Sequence, residues 1–342
     1  MSGLVETREE GAPARVNLPV PAPGPLRRFL RRAFGTRPST AARRILVALA
    51  TVLVLYYGVL GGLVMHRVDA DVDFVPPRAL PGGSHAVGMA AALVEREVTT
   101  HRWTANDPWF FPTGLLDNMP NFQLGMMRAI GRFSIELMDT IGRTRGTAEI
   151  DADLERATGF LQFPGDVWLI DLGKSWLPIV PAEVQFRAGV RALESYNARV
   201  AQGGAMFARR ADALALALTR LGADLNARAA LLDRHVQTSR RTIDFVSDDI
   251  FYFNKGMLYA YYMLLRELGR DFEQPIAAAG AGLVWAQALE SLRKASQLQP
   301  LVVMNAPGED SIFANHLFMQ GFYMKRATVQ LDEVVRTLAV RG

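Results

Sequence analysis

Residues 250–265 read IFYFNKGMLYAYYMLL, apolar on nearly every face of a helix except where Asn254, Lys255 and Gly256 interrupt it. A helix that is apolar all round must be surrounded by other elements, which places this one at the centre of a bundle. It is too short, and too polar at one end, to cross a bilayer. Around it Ala, Leu and Arg dominate and period-two runs of β-branched residues are missing, so the expected fold class is all-α, an irregular multi-helix bundle.

Outward from this run the helices follow one another. Ser84 is placed to cap a helix over 84–101, and Pro120, a favoured first-turn residue, opens the next. On that helix Phe122, Met126, Ile130, Phe133, Leu137 and Ile141 form one apolar stripe, while Arg128, Arg132 and Glu136 read as surface pairs on the other face. A short helix is expected over 151–161. Residues 163–181, with three prolines and two glycines, read as a packed irregular loop. Helical sequence resumes at Pro181 and runs to about 238 with a break at Gly203-Gly204, followed by helices over 243–269, 275–297 and 310–340. No repeat of fixed period is present.

A different run precedes all of this. Residues 45–65, ILVALATVLVLYYGVLGGLVM, carry no charge, and at roughly 1.5 Å per residue they span the ~30 Å of a bilayer's hydrocarbon. Tyr56 and Tyr57 sit awkwardly mid-span, since tyrosine prefers the interface, and mark a protein-facing side. Val68-Asp69-Ala70 offers a place where a signal peptidase could cut, but a 44-residue preamble and so long an apolar run read as an uncleaved, single-pass anchor. Arginines crowd the N-terminal side of the span, whereas Asp69, Asp71 and Asp73 follow it. The positive-inside rule then sets the N-terminus in the cytoplasm of a bacterium and the remainder beyond the inner membrane, in the periplasm.

Charge follows the same division. Of 38 basic and 34 acidic residues, nine and three fall within residues 1–44, which leaves 29 against 31 beyond them. The pI of about 9.5 therefore belongs to the arm, and a near-neutral body excludes nucleic acid as its expected partner. In the arm, Leu26, Phe29, Leu30, Ala33 and Phe34 share one helical face opposite Arg27, Arg28, Arg31 and Arg32. This basic amphipathic helix either binds anionic lipid or only sets topology. The expected organisation is a proline-rich disordered tail with this helix (1–44), the span (45–65), a proline-stiffened stalk (66–83) and a helical domain (84–342).

Chemistry is sparsely signalled. The chain has no Cys, so thiol nucleophiles, CxxC pairs, thiolate zinc sites and thioether-linked haem are excluded. Gly173-Lys174-Ser175 lacks the leading glycine of a phosphate-binding loop. Ser291 and Lys294 match S-x-x-K without its companion elements. The five histidines show no metal-binding spacing, and no metal or cofactor is expected. Asp244, Asp248 and Asp249 precede Lys255 by up to three turns, and Asp248 is the expected internal ion-pair partner of that lysine.

The stretch WTANDPWFFPTGLLDNMPNFQ, residues 103–123, sets Trp103 and Trp109 among Asn106, Asp107, Asp117, Asn118 and Asn121. Aromatic faces beside amides and paired acids suit a sugar-binding or hydrolysing cleft. Asp-Pro and Asn-Met-Pro are equally turn and cap chemistry around a loop that docks its aromatics. Residues 106–123 (NDPWFFPTGLLDNMPNFQ) and 248–265 (DDIFYFNKGMLYAYYMLL) resemble a bacterial family of membrane-anchored proteins designated domain of unknown function 2333. The resemblance extends over most of the chain after the span, implies an envelope location, and implies no reaction or catalytic residue. The leading expectation is a non-enzymatic envelope scaffold with a protein partner; the alternative is an envelope-polysaccharide protein centred on Asp107, Trp109 and Asp117.

Overall fold

A computed structural model describes residues 39–78, 80–142, 150–170, 177–238, 245–300 and 316–341. Among these residues there are ten helices and no strand, so the fold is all-α. The chain divides into two units at Leu53 and Val54. Helix α1 (Thr40–Leu53) belongs to the first and buries none of its side chains. Ser39 begins it, its Oγ accepting from the Ala42 N–H at 3.2 Å. Residues Thr40–Met65 form one helix long and apolar enough to cross a membrane.

The second unit opens with a π-helical stretch, Val54–Met65, and continues through α2 (His85–Glu95), α3 (Asn118–Glu136), α4 (Ala152–Leu161), α5 (Ala182–Ala201), α6 (Ala211–Thr238), α7 (Phe245–Asp271), α8 (Glu273–Ala279), α9 (Gly282–Ser296) and α10 (His316–Arg341). Helix α7 is central, packed by α2, α3 and α9. From Met257 to Leu265 every residue except Tyr262 is buried, which accounts for the unbroken apolar sequence there. The α3–α7 crossing is closest at two glycines. A Cβ on Gly125 would meet the Phe253 carbonyl oxygen at 1.9 Å, and one on Gly256 would meet that of Phe122 at 1.9 Å. All six stripe residues of α3 and its π-helical continuation Leu137–Ile141 are buried.

The start of α2 is held by the far end of α7. Ser84 Oγ donates to Asp271 at 2.7 Å, and the same carboxylate accepts the His85 and Ala86 N–H groups at 2.9 and 3.0 Å. Negative charge thus meets the unpaired N–H groups of a helix start, where it is most favourable. Asn197 locks Ser84 from the other side, accepting its N–H and donating to its carbonyl.

Three expectations are corrected. The helix over 275–297 is two, because Gly280 adopts φ +71 and ends α8. Glu136 is buried rather than surface-paired: Arg132 and Arg220, the latter from α6, reach it at 3.0 and 3.3 Å. Residues 68–74 do not stand off as a stalk. Val68, Ala70 and Phe74 pack on the core, while Arg266 donates to the Val72 and Phe74 carbonyls and Tyr259 to that of Asp71.

Candidate functional site

The residues of 103–123 divide between two surroundings. Trp103 is buried, its indole N–H donating to Gly165 at 2.8 Å and its ring edge-on to Phe186. Asn106 is buried and donates to Val167 and Glu183. Asp107 accepts from Arg102 at 2.7 Å and from the Thr113 hydroxyl, with only 3 % of its side chain exposed. Burial raises the Asp107 carboxyl above its ordinary range, Thr113 and Arg102 partly offsetting this. Trp109, in contrast, is 71 % exposed. Trp103, Asn106 and Asp107 are thus engaged in turn and docking contacts, while Trp109 is open to solvent.

The other half of the stretch joins α7 instead. With its amide nitrogen turned toward the acids, Asn118 bridges Asp248 at 2.5 Å and Asp117 at 3.2 Å, while Asn121 donates to Asp249 at 2.7 Å. Burial, with Asp117 and Asp249 adding like charge, raises Asp248 to about 6. The expected Asp248–Lys255 pair is not formed. Lys255 is buried and donates to the Leu298 carbonyl at 2.6 Å, and burial alone lowers it to about 8. Helical spacing explains the difference: residues seven apart lie two turns apart along the axis. Asp244, the Gly173–Ser175 segment and Arg27, Arg28, Arg31 and Arg32 lie outside the described residues. Ser291 is held by Gln330 and Lys294 by Glu290. Among the described residues no group of three or more His, Asp or Glu is arranged to hold a metal ion.

What composition did not signal is a charged network on the π-helical turn Arg96–Thr100 that follows α2. Such turns re-aim side chains and recur at functional positions. Arg96, buried, donates to Glu97, to the Tyr259 hydroxyl at 3.0 Å and to the Asp69 carbonyl at 3.0 Å. Its guanidinium also stacks on Phe74 and Tyr259. His101 sits between Asp69 at 3.3 Å and Glu97 at 3.2 Å. Those two carboxylates raise His101 to about 9, and the hydrogen bond from His101 leads in lowering Asp69 to about 2. Gln123 closes the network, donating to Glu97 and accepting from Thr104. The one sequence signal was Glu97 and His101 a single helical turn apart; Asp69 comes from the expected stalk.

Arg96 also lines a cleft of about 720 Å³ formed by residues 74–78, Leu80 and helices α2 and α5. Ala91, Val190 and Leu193 supply apolar wall, and Pro76 and Pro77 form part of the opposite side. Arg78, Arg187 and Arg191 line the cleft together with Glu95, Glu194 and the buried Arg96, whose charge Asp69 and Glu97 already meet. The size is that of an ordinary ligand or peptide cleft. Its charge favours an acidic occupant with an apolar side.

An all-helical body behind one apolar helix, without a recognisable catalytic constellation among its described residues, is the class this structure defines. Residues 83–342 match the model of a family described as uncharacterized protein conserved in bacteria (DUF2333), and the chain belongs to that family. No curated protein matches the chain. No solved structure does either.

Proposed function

We propose that the chain is a membrane-anchored scaffold or interaction protein of the bacterial envelope. Its body lies in the periplasm and receives an acidic, partly apolar segment of a protein partner in the cleft formed by residues 74–78, Leu80, α2 and α5. The observation that carries this reading is the cleft itself, open, arginine-rich and fixed to the body through Asp69, Phe74 and Arg96. The acids and hydroxyl group that would serve catalysis are held elsewhere: Asp107 by Arg102 and Thr113, Ser291 by Gln330. The burial of Trp103 and of the Asp107 side chain weighs against the polysaccharide reading.

In-cell cross-linking that captures a discrete protein partner is the expected result. Absence of any partner, together with alteration of a cell-wall polymer by the purified protein, contradicts the proposal. Topology is tested separately by a C-terminal reporter active only in the periplasm; activity of a cytoplasmic reporter at the same position reverses the orientation. In the proposed orientation the arginine-rich arm faces the cytoplasmic leaflet, where each basic residue adds on the order of 1 kcal/mol of attraction to anionic lipid.

A further inference from the structure

Residues 108–116, PWFFPTGLL, contain no charge. Their single side-chain hydroxyl, on Thr113, is buried and donates to Asp107. The loop displays Trp109 at 71 %, Leu115 at 62 % and Phe110 at 45 % exposure. Trp168 extends the patch, its ring packed against those of Phe110 and Phe111, and Leu169 and Ile170 beyond it are exposed as well. A contiguous aromatic and aliphatic surface of this kind is costly in water and marks a contact.

The π-helical stretch Val54–Met65 shows what the contact is. Tyr56 donates its hydroxyl to the Phe110 carbonyl at 3.0 Å, and Tyr57 donates to that of Trp109 at 3.2 Å. Gly61 is buried against Pro112, so closely that a Cβ there would lie 2.1 Å from the Pro112 carbonyl oxygen. Small residues permit such approach within membranes. Tyr57 is eight residues inside the end of the apolar run, on the order of 10 Å below the point where Met65 leaves hydrocarbon. Helical side chains lean toward the N-terminus, which carries the hydroxyl no shallower.

Irregular backbone at that depth is costly where its polar groups go unmet. The loop meets five of its carbonyls, while the N–H groups of Trp109, Phe110, Thr113 and Leu115 have no partner among the described residues. The carbonyls of Trp109 and Phe110 are met by the two tyrosines, and those of Pro108, Phe111 and Thr113 by the N–H groups of Phe111, Gly114 and Leu116. Pro108 and Pro112 have no N–H to leave unpaired. This also explains two tyrosines in mid-span. Outside the loop contact, Val54, Leu55, Leu63 and Val64 remain exposed on the same helix, the surface that faces acyl chains when the helix spans.

We infer that the loop 108–116, flanked by Trp168, is inserted into the bilayer leaflet on the body's side and makes a second, monotopic membrane contact beside the spanning helix. Its occupant is lipid acyl chain. The body is thereby held at a fixed height and orientation on the membrane.

The absence of Cys allows one to be placed at will. Trp109→Cys and Leu115→Cys, each labelled with an environment-sensitive fluorophore, are reconstituted as full chains into phosphatidylethanolamine–phosphatidylglycerol vesicles. Leu49→Cys on α1 is the lipid reference. Leu283→Cys is the aqueous one, since it is exposed and lies two residues from Trp285, which abuts Gly269 near the far end of α7. The expected result is strong quenching by acyl-chain nitroxides at positions 109 and 115, as at 49, with shielding from iodide in the water. Quenching at 49 but not at 109 and 115 overturns the inference and leaves the anchor intact. Shielding from both quenchers at 109 and 115, the mark of a protein cover or a second copy, overturns it equally. Loss of lipid quenching at all three positions removes the anchor as well.

Discussion

Gly256 lies against the backbone of Phe122 so closely that a Cβ would come within 1.9 Å of the Phe122 carbonyl oxygen. Neither helix can yield without opening the core, because α3 and α7 form its most extensive contact. Gly256→Ala is expected to destabilise the folded body by about 3 kcal/mol, the upper range for overpacking. Gly159 on α4 is the internal control, where an added Cβ would find nothing within 4 Å. Gly159→Ala is expected to stabilise by roughly 0.5–1 kcal/mol through backbone entropy. Urea unfolding in detergent followed by circular dichroism measures both; equal effects refute the crossing geometry.

Removing the Asp271 carboxylate takes three donors' acceptor away at once: Ser84 Oγ and the His85 and Ala86 N–H groups. Hydrogen bonds to a charged acceptor are worth roughly 1.5–3 kcal/mol each and do not add fully. Asp271→Ala is expected to cost about 3 kcal/mol and to speed amide exchange at the start of α2. Unchanged exchange there contradicts the capping role.

His101 carries a pH signature. Its folded value of about 9 lies above the ordinary 6.5, so its contribution is fully present below pH 6.5 and is lost as pH rises through 9. The loss is on the order of 3 kcal/mol. Asp69 acts at the other end, its contribution disappearing as pH falls from 3.8 through about 2. Thermal unfolding of the parent and His101→Gln between pH 6 and 9.5 should show the parent losing its advantage over the variant as pH rises, with the Lys255 contribution common to both. Parallel curves exclude the network as described.

Lys255 works in the opposite sense. Burial lowers it to about 8 from 10.5, so the folded state gains relative stability as pH rises from about 8 to 10.5. Lys255→Met is expected to abolish that gain. Asp248→Asn is expected to leave the lysine near 8, because Leu298 and not Asp248 receives its ammonium. A shift of more than about one unit in Asp248→Asn, read from the stability profile, restores the ion pair.

Periodicity made much of this legible. The stripe from Phe122 to Ile141 is buried throughout, and Ser84 caps α2 through the Val87 N–H. Both depend on neighbours three or four residues away. Glu136 misleads because Arg220 reaches it across 84 positions, and Lys255 because Leu298 does so across 43. Residues 103–123 are compositionally like a sugar site, yet Gly165, Val167 and Glu183 absorb Trp103 and Asn106. Composition records which groups exist, not which distant backbone satisfies them. The mid-span tyrosines are a legible anomaly; their partners, Trp109 and Phe110, are not.

The cleft is the part of the account on which function depends. Leu80 lines it and is exposed, so a photo-reactive amino acid placed at Leu80 in living cells reports its occupant most directly. A protein adduct of one discrete mass, lost in Arg187→Glu with Arg191→Glu while the folded chain stays in the membrane, is the result expected of an arginine-rich interaction cleft. An adduct unaffected by that charge reversal, or none at all, contradicts it.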